Sequence, residues 1–408
     1  MVIFLKKEAT IICKTNYPFV FVHGMYGFGD DVKLSNYISY WGMYTGSLTK
    51  YLNEHGFECY APSVGPISSA WDRACELYAQ LFGGTVDYGV AHSNEHNHHR
   101  FGRTYDTPLI KDIGKRNSDG TIKKINLVGH SFGGETVRML THLLKYGSAD
   151  ERLATNVDDI SPLFVGENGR IIHSVTTIAS PHNGITTFYA NRFAYDFDNY
   201  KMFLLGNIVG NTRLNDFYDF HLEQFDLSSA SPENRSIGKA FNTVGVAQVV
   251  QGRDNVYYDL SLYGAKKMNQ FIRTNPHSYY FSFATCSREK NIVKKTSRIS
   301  QKSTEIALRK LELSIGSYPQ KIFSDLKIDS RWIASDGAAN TYSSLAPLNE
   351  PSTRFESSEK VEKGIWNIMD IQFVKHMEIV GKVYRKADRD NFRQLFLKHL
   401  DMVNSLND

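Results

Sequence analysis

The sequence predicts an α/β fold, with a mostly parallel sheet and helices on both faces. Three observations predict it. Short β-branched or aromatic runs alternate along the chain with stretches of helical periodicity. The first of these runs, Pro18 to Val22, is apolar without alternation, as strands buried on both faces are. Another run passes through a glycine-rich turn straight into an amphipathic helix, the junction of a strand–helix–strand unit.

The elements follow in order. Pro18-Phe-Val-Phe-Val22 reads as a buried strand ending in the turn His23-Gly24. Phe57-Glu-Cys-Tyr60 is a second strand. Trp71 to Leu81 is helical, with Ala74, Leu77, Tyr78 and Leu81 on one side. Ile125-Asn-Leu-Val128 is a third strand, and Glu135 to Leu144 a helix with Val137, Leu140, Leu143 and Leu144 repeating at three and four. Residues 171–178 and 279–283 are further strands. Between the last two, Met202, Phe203, Leu204, Leu205, Ile208 and Val209 form an apolar helical stripe, continued by Phe217 and Phe220. By itself such a stripe reads as a helix packed on the core.

Composition excludes several classes. The chain has 408 residues, 41% apolar and 22% charged, the balance of a globular protein. Its net charge of +4 is too small to suggest nucleic acid. The excess is local: residues 287–311 carry 8 Lys/Arg against 2 Asp/Glu, leaving the rest slightly acidic. No apolar run approaches the roughly 18–20 residues of a membrane span. Lys6, Lys7 and Glu8 interrupt the N-terminal apolar run, which makes a poor signal peptide. Cys13, Cys59, Cys75 and Cys286 show no metal or framework spacing and read as buried or free thiols, with a Cys59–Cys75 bridge as the alternative.

Gly129-His130-Ser131-Phe132-Gly133-Gly134 is a GxSxG with a buried strand before it and a helix after it, the setting a nucleophile elbow needs. Ser131 is the candidate nucleophile. A serine hydroxyl needs a base, and the base an orienting acid, in the chain order Ser, Asp/Glu, His. Of the histidines after Ser131, His376 suits the base best, being late in the chain and flanked by apolar Phe373, Val374 and Met377. His399 lies later, in a charged helical tail, and reads as solvated. Asp336, Asp325, Asp329 and Asp370 all remain candidates for the acid. The oxyanion hole needs two N–H donors. The Phe132 amide, just after the nucleophile, is one candidate, and the Met25 amide, in the loop after the first strand, is the other.

A longer match is more specific than GxSxG. Trp71-Asp-Arg-Ala-Cys-Glu-Leu-Tyr-Ala-Gln-Leu-Phe-Gly-Gly-Thr-Val-Asp-Tyr-Gly89 closely resembles the staphylococcal and thermophilic Bacillus-type lipases. So do Phe101-Gly-Arg-Thr-Tyr105, Ser161-Pro-Leu-Phe164, Tyr258-Asp-Leu-Ser261 and Asp336-Gly337. The resemblance covers residues 17–285 and 328–400. It implies one α/β-hydrolase domain over 17–400 and a triacylglycerol lipase with Ser131, Asp336 and His376 as its triad. It also implies a lid within 189–227 and secretion. The alternatives carried beside it are a carboxylesterase or phospholipase with the same triad, a zinc-dependent hydrolase, and a silent lipid-binding relative. The expected partner is a lipid ester at an interface; no protein partner is inferred.

The resemblance also accounts for four of the 14 histidines falling between His92 and His99. These lipases hold zinc with two Asp and two His, and the matching positions are Asp72, His92 and His98, in an insertion spanning 72–100, with Asp259 further along the chain. Four protein ligands make a closed, structural shell. Calcium near the base loop matches less well: Glu378 fills one family position, and Val383 stands at the other. The basic stretch within 286–327 has no counterpart.

Overall fold

The computed structural model describes residues 15–118, 120–190, 192–287 and 328–408. Seven strands form the main sheet: β1 (Phe19–Val22), β2 (Cys59–Tyr60), β5 (Ile125–His130), β6 (Ile172–Ile178), β7 (Tyr279–Phe283), β8 (Ser352–Arg354) and β9 (Trp366–Ile368). Their spatial order is β2-β1-β5-β6-β7-β9-β8, and every pairing is parallel. A separate antiparallel pair, β3 (Gly84–Asp87) and β4 (Phe101–Tyr105), brackets the histidine cluster. This is the expected α/β architecture.

The central strands are apolar because both faces are covered. β1, β5, β6 and β7 are buried along their whole length. One face packs against the helices Ala70–Phe82 and Phe132–Tyr146 through Leu77, Leu81, Val137 and Leu140. The other packs against the C-terminal helix Lys386–Asn404 through Phe392, Phe396, Leu400 and Val403. Ser69 caps the first of these helices by accepting from the Asp72 N–H, and Gly83 ends it at φ 78°.

Three expectations need correction or a boundary. His399 is not solvated: it is 6% exposed, and its ring pairs with the Thr176 hydroxyl at 2.8 Å, because the buried stripe of the tail helix includes it. Cys59 and Cys75 are not bridged; each is buried where it stands. Cys13, Asp325 and the basic stretch 287–311, save Ser287, lie outside the described residues.

Candidate active site and metal centre

Parallel pairing sets Val22 of β1 opposite Gly129 of β5, so the loops leaving both strands meet at one edge of the sheet. Ser131 follows β5 with φ 53° and ψ −130°, a strained conformation held by its surroundings. Glycine is required beside it: a Cβ on Gly129 would come within 2.3 Å of the Gly133 carbonyl oxygen, and one on Gly133 within 2.1 Å of the Val22 oxygen. The strand, the turn and the helix are thus packed backbone to backbone.

His376 Nε2 lies 2.9 Å from Ser131 Oγ, and His376 Nδ1 lies 2.8 Å from Asp336 Oδ2. Asp336 is buried and fully engaged. Its Oδ1 accepts from the Ala338 and Ala339 N–H groups at 2.9 and 2.8 Å, and its Oδ2 accepts from the Thr285 hydroxyl. Burial would raise its pKa, but His376 and these hydrogen bonds hold the carboxyl below the ordinary aspartate value. The His376 N–H donates to the Asp336 carbonyl at 3.1 Å, tying the two loops together. Of the other acids, Asp329 is held by Arg331 at 2.9 Å and Asp370 by Arg354 at 2.9 Å on the surface.

The loop His23–Gly27 stands against Ser131; a Cβ on Gly24 would come within 2.7 Å of Ser131 Cβ. Among the described residues, neither the Met25 nor the Phe132 N–H finds an acceptor. Arg73 fixes this loop from beneath. Fully buried, it donates to the His23 carbonyl, to the Gly65 carbonyl at 2.9 Å and to Thr136 on the elbow helix at 2.8 Å. Nothing in the sequence marked Arg73 beyond its place in the long matched segment. Tyr26, next to Met25, donates to Asp198 at 2.6 Å, and Tyr257 donates to the same carboxylate at 2.8 Å. Asp198 belongs to the helix Arg192–Gly210, on which Phe203 and Val209 are buried and Phe193 and Phe197 are exposed.

The histidine cluster forms a second centre. Donor atoms of Asp72, His92, His98 and Asp254 all lie within 4.8 Å of one another. Asp72 Oδ1 and Asp254 Oδ1 stand 3.2 and 3.3 Å from His92 Nε2, and Asp254 Oδ2 stands 3.2 Å from His98 Nε2. Yet both Asp254 oxygens and His98 Nε2 are buried without a hydrogen bond of acceptable geometry. Lone pairs that converge on a common point, and do not point at one another, fit a shared cation. The surrounding groups orient the ligands, as outer shells of metal sites do. Gln224 donates to Asp72 Oδ2 at 2.7 Å, and the His99 carbonyl stands 2.9 Å from His98 Nδ1.

Among the described residues, the convergent group contains Asp254 and not Asp259. Asn255 caps the helix Val256–Leu260, so Asp254 lies just before the helix and reaches the cluster. Asp259 lies a turn further on and accepts instead from the Ala70 N–H at 2.8 Å. Among the described residues, Glu378 belongs to no converging acid set. It accepts from the Lys375 N–H at 2.9 Å, while Asp388, lining the same cavity of about 390 Å³, is held by Arg385 at 2.7 Å. His99 itself pairs with Asp226 on the surface at 2.8 Å.

Among the described residues no helix is long and apolar enough to cross a membrane. The chain is similar to Lipase 1 of Staphylococcus aureus, at 32% identity over 90% of this chain and 51% of that one. It is similar to a Staphylococcus epidermidis lipase at 31% over 94% and 53%. The chain thus spans about half the length of these relatives. Among solved structures, lipase 1 from Pelosinus fermentans matches with TM-score 0.76 and 35% identity, covering 94% of this chain and 98% of that one. EstA from Clostridium botulinum matches with TM-score 0.79 and 36% identity, covering 98% and 90%. The Staphylococcus hyicus lipase matches with TM-score 0.77 and 27% identity, covering 96% of both. Residues 15–406 match the family described as the lipase-like C-terminal domain, and the chain belongs to it.

Proposed function

We propose that this protein is a serine ester hydrolase, a triacylglycerol lipase acting through Ser131, His376 and Asp336. The observation that carries the reading is the unbroken contact from Ser131 Oγ to His376 Nε2 and from His376 Nδ1 to Asp336 Oδ2, at 2.9 and 2.8 Å. As Ser131 Oγ attacks the ester carbonyl carbon, His376 Nε2 takes its proton. The Met25 and Phe132 N–H groups receive the oxyanion. Collapse of the intermediate breaks the bond to the alcohol, which leaves with the proton from His376. Water, deprotonated by His376, then attacks the acyl-enzyme and releases the acid.

The helix Arg192–Gly210 acts as the lid. Two features support this: Phe193 is 86% and Phe197 63% exposed, as a surface that meets lipid requires, and Asp198 tethers the helix beside the oxyanion loop. Substrate would then be a long-chain ester presented at an interface, and the site of action extracellular, as the resemblance to staphylococcal lipases implies. Asp72, His92, His98 and Asp254 would hold a structural zinc, which fastens the 72–100 insertion to the chain before Val256. With four protein ligands no position is left for a metal-bound water, which disfavours a zinc hydrolase.

Ser131→Ala should abolish hydrolysis of emulsified triacylglycerol and leave the circular dichroism spectrum unchanged. Near-wild-type activity in that variant would sink the reading. Preference for short soluble esters over emulsions in the wild type would move it to a carboxylesterase, and preference for phospholipid vesicles to a phospholipase. Failure of a fluorophosphonate to label Ser131 would indicate a silent lipid-binding relative.

A further inference from the structure

His130, immediately before the nucleophile, is completely buried, yet both of its ring nitrogens are engaged. Nδ1 lies 2.6 Å from the Tyr40 hydroxyl, and Nε2 lies 3.1 Å from the His376 carbonyl oxygen. A carbonyl oxygen only accepts, so Nε2 carries a proton. Burial, with His376 close by, drives the His130 pKa well below the usual histidine value, so the ring is neutral. Nδ1 is therefore a bare lone pair, and the Tyr40 hydroxyl donates to it. The Tyr40 oxygen in turn accepts from the Gly24 N–H at 2.9 Å. The direction of each bond is thereby fixed: Gly24 N–H to Tyr40, Tyr40 O–H to His130 Nδ1, and His130 Nε2–H to the His376 carbonyl. The chain begins one residue before Met25 and ends on the backbone of the base.

We propose that Tyr40 and His130 are positioning residues for ester hydrolysis: the Tyr40 hydroxyl ties the His130 ring to the Gly24 N–H, and the Nε2–H of that ring holds the His376 loop in register with the oxyanion loop. The proposal rests on the serine-hydrolase reading above. Without the Tyr40 hydroxyl, His130 keeps its Nε2–H on the His376 carbonyl, but Nδ1 and the Gly24 N–H both lose their partner. The ring is then no longer tied to the oxyanion loop, and the base drifts from its place. Misplacement by about 1 Å costs on the order of 10²-fold in rate, and a few tenths of an ångström roughly tenfold. The Tyr40 ring also packs edge-on against His23, Phe28 and Trp41. Tyr40→Phe retains that packing and removes only the hydroxyl.

The test compares wild type, Tyr40→Phe, His130→Gln and the double variant in p-nitrophenyl butyrate turnover. A second readout is the rate at which a fluorophosphonate labels Ser131. Tyr40→Phe should lower kcat about tenfold, leave KM within about twofold and slow labelling in parallel. Glutamine keeps one donor and one acceptor but lacks the rigid ring that ties Tyr40 to the His376 carbonyl. In the His130→Gln background, removing the Tyr40 hydroxyl should therefore cost less than about twofold. An unchanged kcat in Tyr40→Phe, a loss confined to KM, or the same loss in both backgrounds would overturn the proposal. If His130→Gln fails to fold, kcat and labelling rate of Tyr40→Phe against wild type decide it. A wild-type protein that neither turns over ester nor labels at Ser131 refutes the hydrolase reading instead.

Discussion

On the zinc reading proposed above, Asp254→Asn should abolish metal binding, whereas Asp259→Asn should leave it in place. The two residues are five apart and both buried, but only Asp254 has oxygens that converge with Asp72, His92 and His98. An amide at 254 supplies one neutral oxygen and directs an NH₂ at groups that can only accept once they are metal ligands. At 259 the change is mild. Burial lifts the Asp259 carboxyl to about 8, so it is largely neutral at pH 7, and an amide oxygen can still accept from the Ala70 N–H. An ion present at about a thousand times its dissociation constant stabilises the fold by about 4 kcal/mol. With an unfolding entropy of about 2.1 cal/mol/K per residue, a chain of 408 residues loses about 5 °C of Tm when that ion is lost. Calorimetry with elemental analysis on the same samples checks this. Wild type should carry about one zinc per chain and lose about 5 °C in EDTA. Asp254→Asn should begin at the lower Tm and not respond to EDTA, and Asp259→Asn should behave as wild type. Zinc retained in Asp254→Asn, or lost from Asp259→Asn, would refute the assignment.

Asp336→Asn should lower kcat by about 10⁴, since an amide can no longer enforce the Nδ1–H tautomer of His376; steady-state kinetics at fixed pH measure it. Acid should destabilise the protein well above the carboxylate range. His142 and His173 are pushed down by burial to about 4, and His399 to about 3, from an ordinary value of 6.5. Their unfolded forms take up protons first, so this stability is complete above pH 6.5 and falls as pH drops toward the folded values. The loss is about 1.4 kcal/mol per pH unit for each histidine. A Tm unchanged between pH 7.5 and 5 would contradict this. Asp198→Asn should weaken the tether between the helix Arg192–Gly210 and Tyr26. For a half-exposed carboxylate this is about 1 kcal/mol, or about a fivefold gain in open helix. The measure is the ratio of emulsion to soluble-ester activity, which should fall; an unchanged ratio means the tether does not gate access.

The elbow was readable because it is local: a buried strand, a serine between glycines and a helix all lie within about twenty consecutive residues. The acid was not, because Asp329, Asp336 and Asp370 are all loop residues, and only the approach of two distant loops distinguishes Asp336. The residue types of the Asp/His cluster were legible, but the sequence pointed to Asp259 where the structure brings Asp254, because that depends on where a five-residue helix begins. β8 and β9 carry no periodic signal; Ser-Thr-Arg and Trp-Asn-Ile are strands only because neighbours supply their hydrogen bonds. The relay of Tyr40, His130 and His376 is assembled from three separate parts of the chain and was invisible for that reason. His399 is different. The spacing of Phe392, Phe396, His399, Leu400 and Val403 already described a buried helical stripe, and the surrounding charges obscured it.

The backbone packing at Gly129, Gly133 and Val22 divides the protein into parts with different freedom to change. A side chain added at either glycine would push β1 from β5, and with it the Met25 loop from Ser131. Selection for a new ester can therefore act little on this junction. The helix Arg192–Gly210 is tied to Tyr26 of the His23–Gly27 loop through Asp198 and carries Phe193 and Phe197 outward. Divergence in chain-length or head-group preference should accumulate there, around a reaction centre whose dimensions stay constant, and a mutational library confined to that helix is the economical place to look for altered substrate range.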